Sequence, residues 1–177
     1  MLLMTTQKAR KKAGKEKNLT LGIVDSQSIK TMYGGEARGY DGNKKIKGRK
    51  RTIIVDILGC ILGVYVSSAQ PHDTTLAPKL IEDTLKTYPS LKCFALDKGY
   101  RGTTAMFIHS CQKAYIIPEA ENGKIVSKKR WIVHRTFAWL GHSRRLTKDY
   151  EARPDNAETF ISEEVKNKNI YFFDNVS

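Results

Sequence analysis

Apolar residues fall into short runs separated by charged and glycine-rich stretches. Leu19–Val24 is the first run and leads into Asp25, which predicts a short strand with an acid at its end. Thr52-Ile53-Ile54-Val55-Asp56-Ile57-Leu58 and Ile61–Val66 flank Gly59-Cys60. Two β-branched runs about a glycine predict a hairpin, apolar enough for the middle of a sheet. Lys92-Cys93-Phe94-Ala95-Leu96-Asp97 predicts a buried strand ending in a second acid, and Ala114–Ile117 a further strand stopped by Pro118.

Helical spacing appears between these runs. After the break at Gln70-Pro71-His72, Asp73, Thr74 and Thr75 offer helix caps and Pro78 suits a first turn. Leu80, Ile81, Leu85 and Tyr88 then recur at helical intervals up to Pro89, and Thr103–Gln112 predicts a short helix. Lys129 to about Tyr150 reads as one long helix, with Trp131, Phe137, Trp139, Leu140 and Leu146 among its packing residues. Strand, hairpin, helix, strand, helix, strand and long helix in this order predict a layered α/β or α+β domain. Residues 1–18 are expected to be a flexible basic arm, 19–152 the folded domain, and 153–177 an acidic, weakly helical tail with a short helix near Ala157–Lys166. Gly34–Gly42 and the polar segment 119–129 are read as loops.

Composition narrows the function. At 177 residues with 40% hydrophobic content, the chain can bury one core. No apolar run approaches the roughly 20 residues that span a bilayer, and the N-terminus lacks a signal-peptide pattern, so no membrane partner is expected. Cys60, Cys93 and Cys111 form no CxxC pair, which argues against a disulfide framework or a zinc site and suits a reducing cytoplasm. The net charge is +13 and uneven: residues 1–148 carry 28 basic and 11 acidic groups, residues 149–177 carry 3 and 7. A body this basic is expected to bind nucleic acid. Lys44, Lys45, Lys47, Arg49, Lys50 and Arg51 crowd into eight positions and are the expected phosphate contacts. Arg144, Arg145 and Lys148 either extend that surface or complement a helix C-terminus.

Asp25 and Asp97 carry the candidate chemistry. Each follows an apolar strand, and carboxylates on neighbouring strand ends suit hard cations such as Mg²⁺ or Mn²⁺. Two such ions about 3.5–4 Å apart can serve an in-line phosphoryl displacement. Acids at strand ends are also common turn formers, so spacing alone does not decide. Trp131 and Trp139 read as packing residues rather than base-stacking ones, Asp73 as a cap, and His109 and His142 have no partner at metal spacing.

The wording around the acids adds to this. Val24-Asp25-Ser26-Gln27-Ser28-Ile29-Lys30 and the stretch from Gly34-Gly35 to Arg51 resemble the first motif of insertion-sequence DDE transposases, in the insertion-sequence-five group. Ala95-Leu96-Asp97-Lys98-Gly99-Tyr100-Arg101-Gly102 resembles the second motif. Arg130-Trp131-Ile132-Val133-His134-Arg135-Thr136-Phe137-Ala138-Trp139-Leu140, continuing to Glu151, resembles the third. The resemblance runs from about residue 19 to 165.

The resemblance implies an RNase H-like mixed sheet flanked by helices and divalent-metal-dependent cleavage and transfer at element ends. Asp25 and Asp97 would be catalytic metal ligands at a two-metal site. Lys44, Lys45, Lys47, Arg49, Lys50, Arg51, Arg130 and Arg135 would meet DNA. The third ligand should be a Glu four residues after Arg130, and that position holds His134. Three readings stand: a working variant ligand, as in some related nucleases; a disabling change that leaves a DNA-binding remnant or regulator; or another acid in its place. Glu119, Glu121 and Glu151 are the candidates, Glu151 being discounted at about 25 Å along a continuous helix. Loss or severe weakening of activity ranks ahead of a working histidine.

Family members carry an end-binding domain before the first Asp, and only 24 residues precede Asp25 here. A second reading frame or a truncated copy is therefore expected. The partners would be DNA, at element ends and target, and either a second copy or the upstream-frame product. Its place would be the bacterial cytoplasm, associated with the nucleoid.

Overall fold

In the computed structural model, residues 2–70, 73–117, 120–121, 124–125 and 130–168 are described. Four long elements set the frame. Strand β1 (Leu21–Lys30) pairs antiparallel with β3 (Ile46–Val55), from Ile23 opposite Val55 to Lys30 opposite Gly48. The outer edge of β3 takes β4 (Ile61–Ser68) along most of its length and the short β2 (Gly39–Asp41) at its start. On its other side β1 pairs parallel with β5 (Cys93–Ala95), which pairs parallel with β6 (Ala114–Ile116). The result is a mixed six-stranded sheet. The expected hairpin is present, and Gly59 turns it at φ +87, where a side chain would be strained.

Alternation along β1 and β3 divides the core between the two faces. Val24 and Ile54 face one way, with Phe94, Leu80, Ile81 and Ile108, and are covered by α2 (Asp73–Thr87) and α3 (Thr103–Ser110). Ile23, Ile53 and Val55 face the other way and meet Val133, Phe137 and Leu140 of α4 (Arg130–Gly141) and Ile161 of α5 (Pro154–Lys168). This is a helix–sheet–helix sandwich. Ala120–Glu121 and Lys124–Ile125 form a separate two-stranded pair, β7 and β8.

Four expectations are corrected. Residues 1–18 are not a flexible arm throughout: Leu2–Lys12 form α1, and buried Arg10 donates to Asp56 at 2.8 Å. Asp56 is itself fully buried and caps the hairpin turn by accepting from the Leu58 and Cys60 backbone N–H groups. The long helix ends at Gly141 rather than near Tyr150. The segment after it is drawn along β1, where Asp149 bridges to Thr31. The acidic tail supplies α5, whose Ala157, Ile161 and Val165 belong to the core, so packing continues across residues 152 and 153. Pro78 lies in the second turn of α2 rather than the first.

Arg49 holds the segment after α4 in place. It sits on the same face of β3 as Ile53 and is fully buried. Its Nη1 donates to the Asp149 carboxylate and the Glu151 carbonyl, its Nη2 to the Glu36 and Ala152 carbonyls, and its Nε to Glu36 again. All five N–H donors of the guanidinium are thereby used. Removing one partner of a buried ion pair strands the other, at a cost of about 3–5 kcal/mol. Arg49→Ala is expected to lower the urea midpoint of unfolding accordingly, while exposed Lys47→Ala stays within about 0.5 kcal/mol of the parent. Equal stability of the two variants would contradict this account.

Candidate active site

The parallel pairing of β1 and β5 brings the two acids together. Ile23 lies opposite Ala95, so Asp25 and Asp97, each two residues further on, reach the same level on adjacent strands. Both carry the parity of Ile23, so both face the layer that holds α4. On α4, Ile132, Val133 and Phe137 face the core, which leaves Arg130 and His134, one turn apart, at the margin above the acids. The Arg130 Nη2 donates to Asp97 Oδ2 at 2.7 Å, and His134 Nε2 lies 3.7 Å from Asp25 Oδ2.

The two carboxyl groups differ. Asp25 is buried, with a side chain 10% exposed, and Oδ1 accepts from the Ser26 backbone N–H. Burial pushes its carboxyl above the ordinary value. The Ser26 hydrogen bond, His134 and Arg130 oppose that shift, and the Asp97 charge adds to it. Asp97 is more open. Its Oδ1 caps a 3-10 turn (Lys98–Tyr100) by accepting from the Lys98 N–H, and its Oδ2 takes Arg130. His134 is 56% exposed at its side chain. Among the described residues, no three His, Cys, Asp or Glu side chains close around one ion position. The arrangement is two carboxylates with an imidazole and a guanidinium beside them.

The basic segment divides by the same alternation. Lys44, Lys45 and Lys47 are exposed, and Lys44 Nζ reaches the Ser26 carbonyl, next to Asp25. Arg49, Lys50 and Arg51 are buried, which corrects their expected role as phosphate contacts. Arg51 donates to the Leu146 carbonyl and Gln27 Oε1, and burial holds its guanidinium down to about 10. Lys50 lies on the opposite face, where its charge, with that of Lys44, helps hold Asp41 below its ordinary value. Burial pushes Asp41 the other way, and the Ser28 hydroxyl and Lys44 N–H bonds outweigh it. Arg135 is also turned inward. It donates to the Leu58 carbonyl and lies between the Trp131 and Trp139 rings, 4.5 and 4.4 Å from their centroids.

Other candidates fall away from the site. Glu151 pairs with Arg145. Arg145 also covers the Phe160 ring, whereas Arg144 and Lys148 are exposed. His72 and Glu119 lie outside the described residues, as does the side chain of Glu121. The sequence reading missed Asp149 and Asp56, the acids that absorb buried arginines. The odd-numbered parity that Arg49 and Arg51 share with Ile53 and Val55 was the available signal.

Comparison with known proteins places the chain. The family described as Transposase DDE domain matches residues 16–162. A Burkholderia cepacia protein named as a transposase for insertion sequence element IS402 is 28% identical over 151 residues, 78% of this chain and 69% of that protein. Among solved structures, a chain of the simian T-cell lymphotropic virus intasome superposes with a TM-score of 0.55 at 11% identity, over 82% of this chain. The present chain spans only 47% of that intasome chain. The catalytic core domain of BIV integrase gives 0.50 at 10% identity, over 84% and 81% of the two chains. The fold is RNase H-like, and the chain belongs to the DDE-domain transposase family.

Proposed function

We propose that this chain is the strand-cutting and strand-joining core of an insertion-sequence transposase, of the insertion-sequence-five group, acting on DNA in the bacterial nucleoid. Asp25 and Asp97 would hold divalent cations, Mg²⁺ or Mn²⁺, with His134 alongside. The observation that carries this reading is the approach of the two acids, Asp25 within β1 and Asp97 just past the end of β5, close enough for the Asp97 charge to act on Asp25, on the face that α4 borders. The chemistry of the donors fits such an ion: Asp25 is a largely buried carboxylate with an imidazole nitrogen 3.7 Å away. Bound there, the ions would polarise an attacking water or 3′-hydroxyl and offset charge on the leaving oxygen.

The chain's own groups prepare that chemistry. The Ser26 and Lys98 N–H groups each fix one carboxylate oxygen, so both acids present a preset orientation. Arg130 neutralises Asp97 in the ion-free protein and is near enough to meet a phosphate oxygen once released. Lys44, Lys45 and Lys47 offer exposed charge for the DNA backbone, giving affinity that falls steeply with salt and little sequence preference. Element-end recognition and pairing with a second copy or an upstream-frame product would supply the rest.

A second reading rests on His134. An imidazole brings one nitrogen and no negative charge where the family places a carboxylate, so the chain would be a DNA-binding remnant with weak or absent turnover.

Mn²⁺-dependent nicking of supercoiled plasmid is expected, reduced roughly a thousandfold by Asp25→Ala or Asp97→Ala; nicking that survives both changes sinks the site assignment. His134→Glu separates the two readings. Activity appearing only in the Glu form identifies a remnant, and comparable activity in both forms identifies a tolerated histidine.

Asp25 also makes a pH prediction. Its folded pKa lies above the ordinary 3.8, so the protonated form is favoured by folding and stability is lost as pH rises through the folded value. Without added metal, Asp25→Asn is therefore expected to melt above the parent at pH 7. The two should converge below the ordinary carboxylate range. A lower melting temperature for Asp25→Asn at pH 7 would contradict the burial argument.

A further inference from the structure

On the side of the sheet away from β5, β4 pairs with β3 along one edge and with no strand among the described residues along the other. Helices α2 and α5 pack on opposite faces of the sheet and both extend past that edge. Leu80 and Thr84 of α2 and Glu158 and Ser162 of α5 stand either side of Val64–Ser68. The slot between them has a volume of about 870 Å³. It follows an eight-residue strand, roughly 27 Å at the usual rise. Helix α1 also packs against β4 and α5, and its Leu2 lines the slot, so the open stretch of the edge is that facing Val64–Ser68.

The edge is already half engaged. The Val66 N–H donates outward to Glu158 Oε1 at 2.7 Å. A side-chain carboxylate thus takes the bond that the carbonyl of a pairing strand would accept. Val64 has the same parity, with Ile53 and Arg51 opposite Val64 and Val66 in unbroken register, so its N–H and C=O also point into the slot. Burial pushes the Glu158 carboxyl above its ordinary value, and the Val66 N–H bond opposes that shift.

The charge of the slot is opposite to that of the molecule. Asp83, Asp155, Glu158 and Glu163 line it against Lys79 and Lys166, on a chain whose net charge is +13, and although Asp83 already pairs with Lys86 and Asp155 with Arg153, Glu158 and Glu163 remain to meet a cation. Lys79 is moreover turned over the Tyr65 ring, 5.5 Å from its centroid. Such a surface repels a nucleic-acid backbone and attracts a cationic peptide.

We propose that the slot between α2 and α5 is a docking site for an extended basic segment of another polypeptide. The segment adds to β4 as a further strand, displaces Glu158 from the Val66 N–H, and pairs its Lys or Arg side chains with the displaced Glu158 and with Glu163. Backbone pairing supplies affinity and alternate side chains supply selectivity, as in other cases of strand addition. The site is separate from Asp25 and Asp97 and does not depend on their assignment.

The test uses the full chain and two fluorescein-labelled octapeptides, one alternating Lys with Val and one alternating Glu with Val, followed by fluorescence anisotropy at low salt. The Lys–Val peptide is expected to bind at least tenfold more tightly than the Glu–Val peptide and to raise amide-exchange protection at Val64. Glu158→Lys combined with Glu163→Lys should weaken binding at least tenfold. Val64→Pro removes an outward N–H without touching the β3 pairing, and should abolish binding while leaving the circular dichroism spectrum unchanged. Should Val64→Pro fail to fold, loss of binding in the Glu158/Glu163 double variant together with the Val64 protection decides the matter. Equal binding of the two peptides, binding indifferent to the double substitution, or a slot filled by a second copy of the chain in sedimentation would each overturn the proposal.

Discussion

Two like charges on neighbouring parallel strands are the constraint around which this molecule is arranged. The β1–β5 register places Asp25 and Asp97 side by side, and burial of Asp25 makes its ionised form costly. Like charges so placed raise each other's cost of ionisation. Helix α4 answers this by setting the Arg130 guanidinium on Asp97, with the His134 imidazole 3.7 Å from Asp25. The helix holds that position because Val133, Phe137 and Leu140 bury its other face against Ile23, Ile53 and Val55. Core packing and site electrostatics are therefore coupled through one helix.

A second set of charges has a structural purpose. Arg10, Arg49 and Arg51 are buried, each beside an acid or a row of carbonyls, and they fasten α1 and the segment after α4 to the central strands. Arginine suits such places because its planar fork can satisfy several acceptors at once. The exposed positive surface is smaller than the net charge suggests. From the basic cluster it retains Lys44, Lys45 and Lys47, at the end of the sheet where Lys44 approaches Ser26.

Much of the architecture was readable from periodicity. The alternation in Ile53-Ile54-Val55 and the glycine at the hairpin carry local signals and are found where expected, and Asp97 follows its strand, whereas Asp25 lies mid-strand because β1 continues to Lys30 rather than ending at the acid. What escaped was set by distant partners. Arg49 reads as a surface charge until Asp149, 100 residues away, is known to lie beneath it. The end of α4 at Gly141 escaped for the same reason, because the following residues gain more by pairing with β1 and capping buried arginines than by extending a helix. Residues 2–12 are polar enough to look unstructured, and their fold rests on Arg10 meeting a buried acid that no local pattern announces. At the site, the two aspartates were legible, while the guanidinium of Arg130 seated on Asp97 was not.

The central claim is that Asp25 and Asp97 form a cation site at one edge of the sheet. The most direct test is a crystal of the full chain equilibrated with Mn²⁺ and measured at the manganese absorption edge. An anomalous peak lying about 2.1 Å from carboxylate oxygens of both Asp25 and Asp97 is the expected result. Manganese absent from that edge at saturating concentration, or bound only elsewhere, would contradict the account.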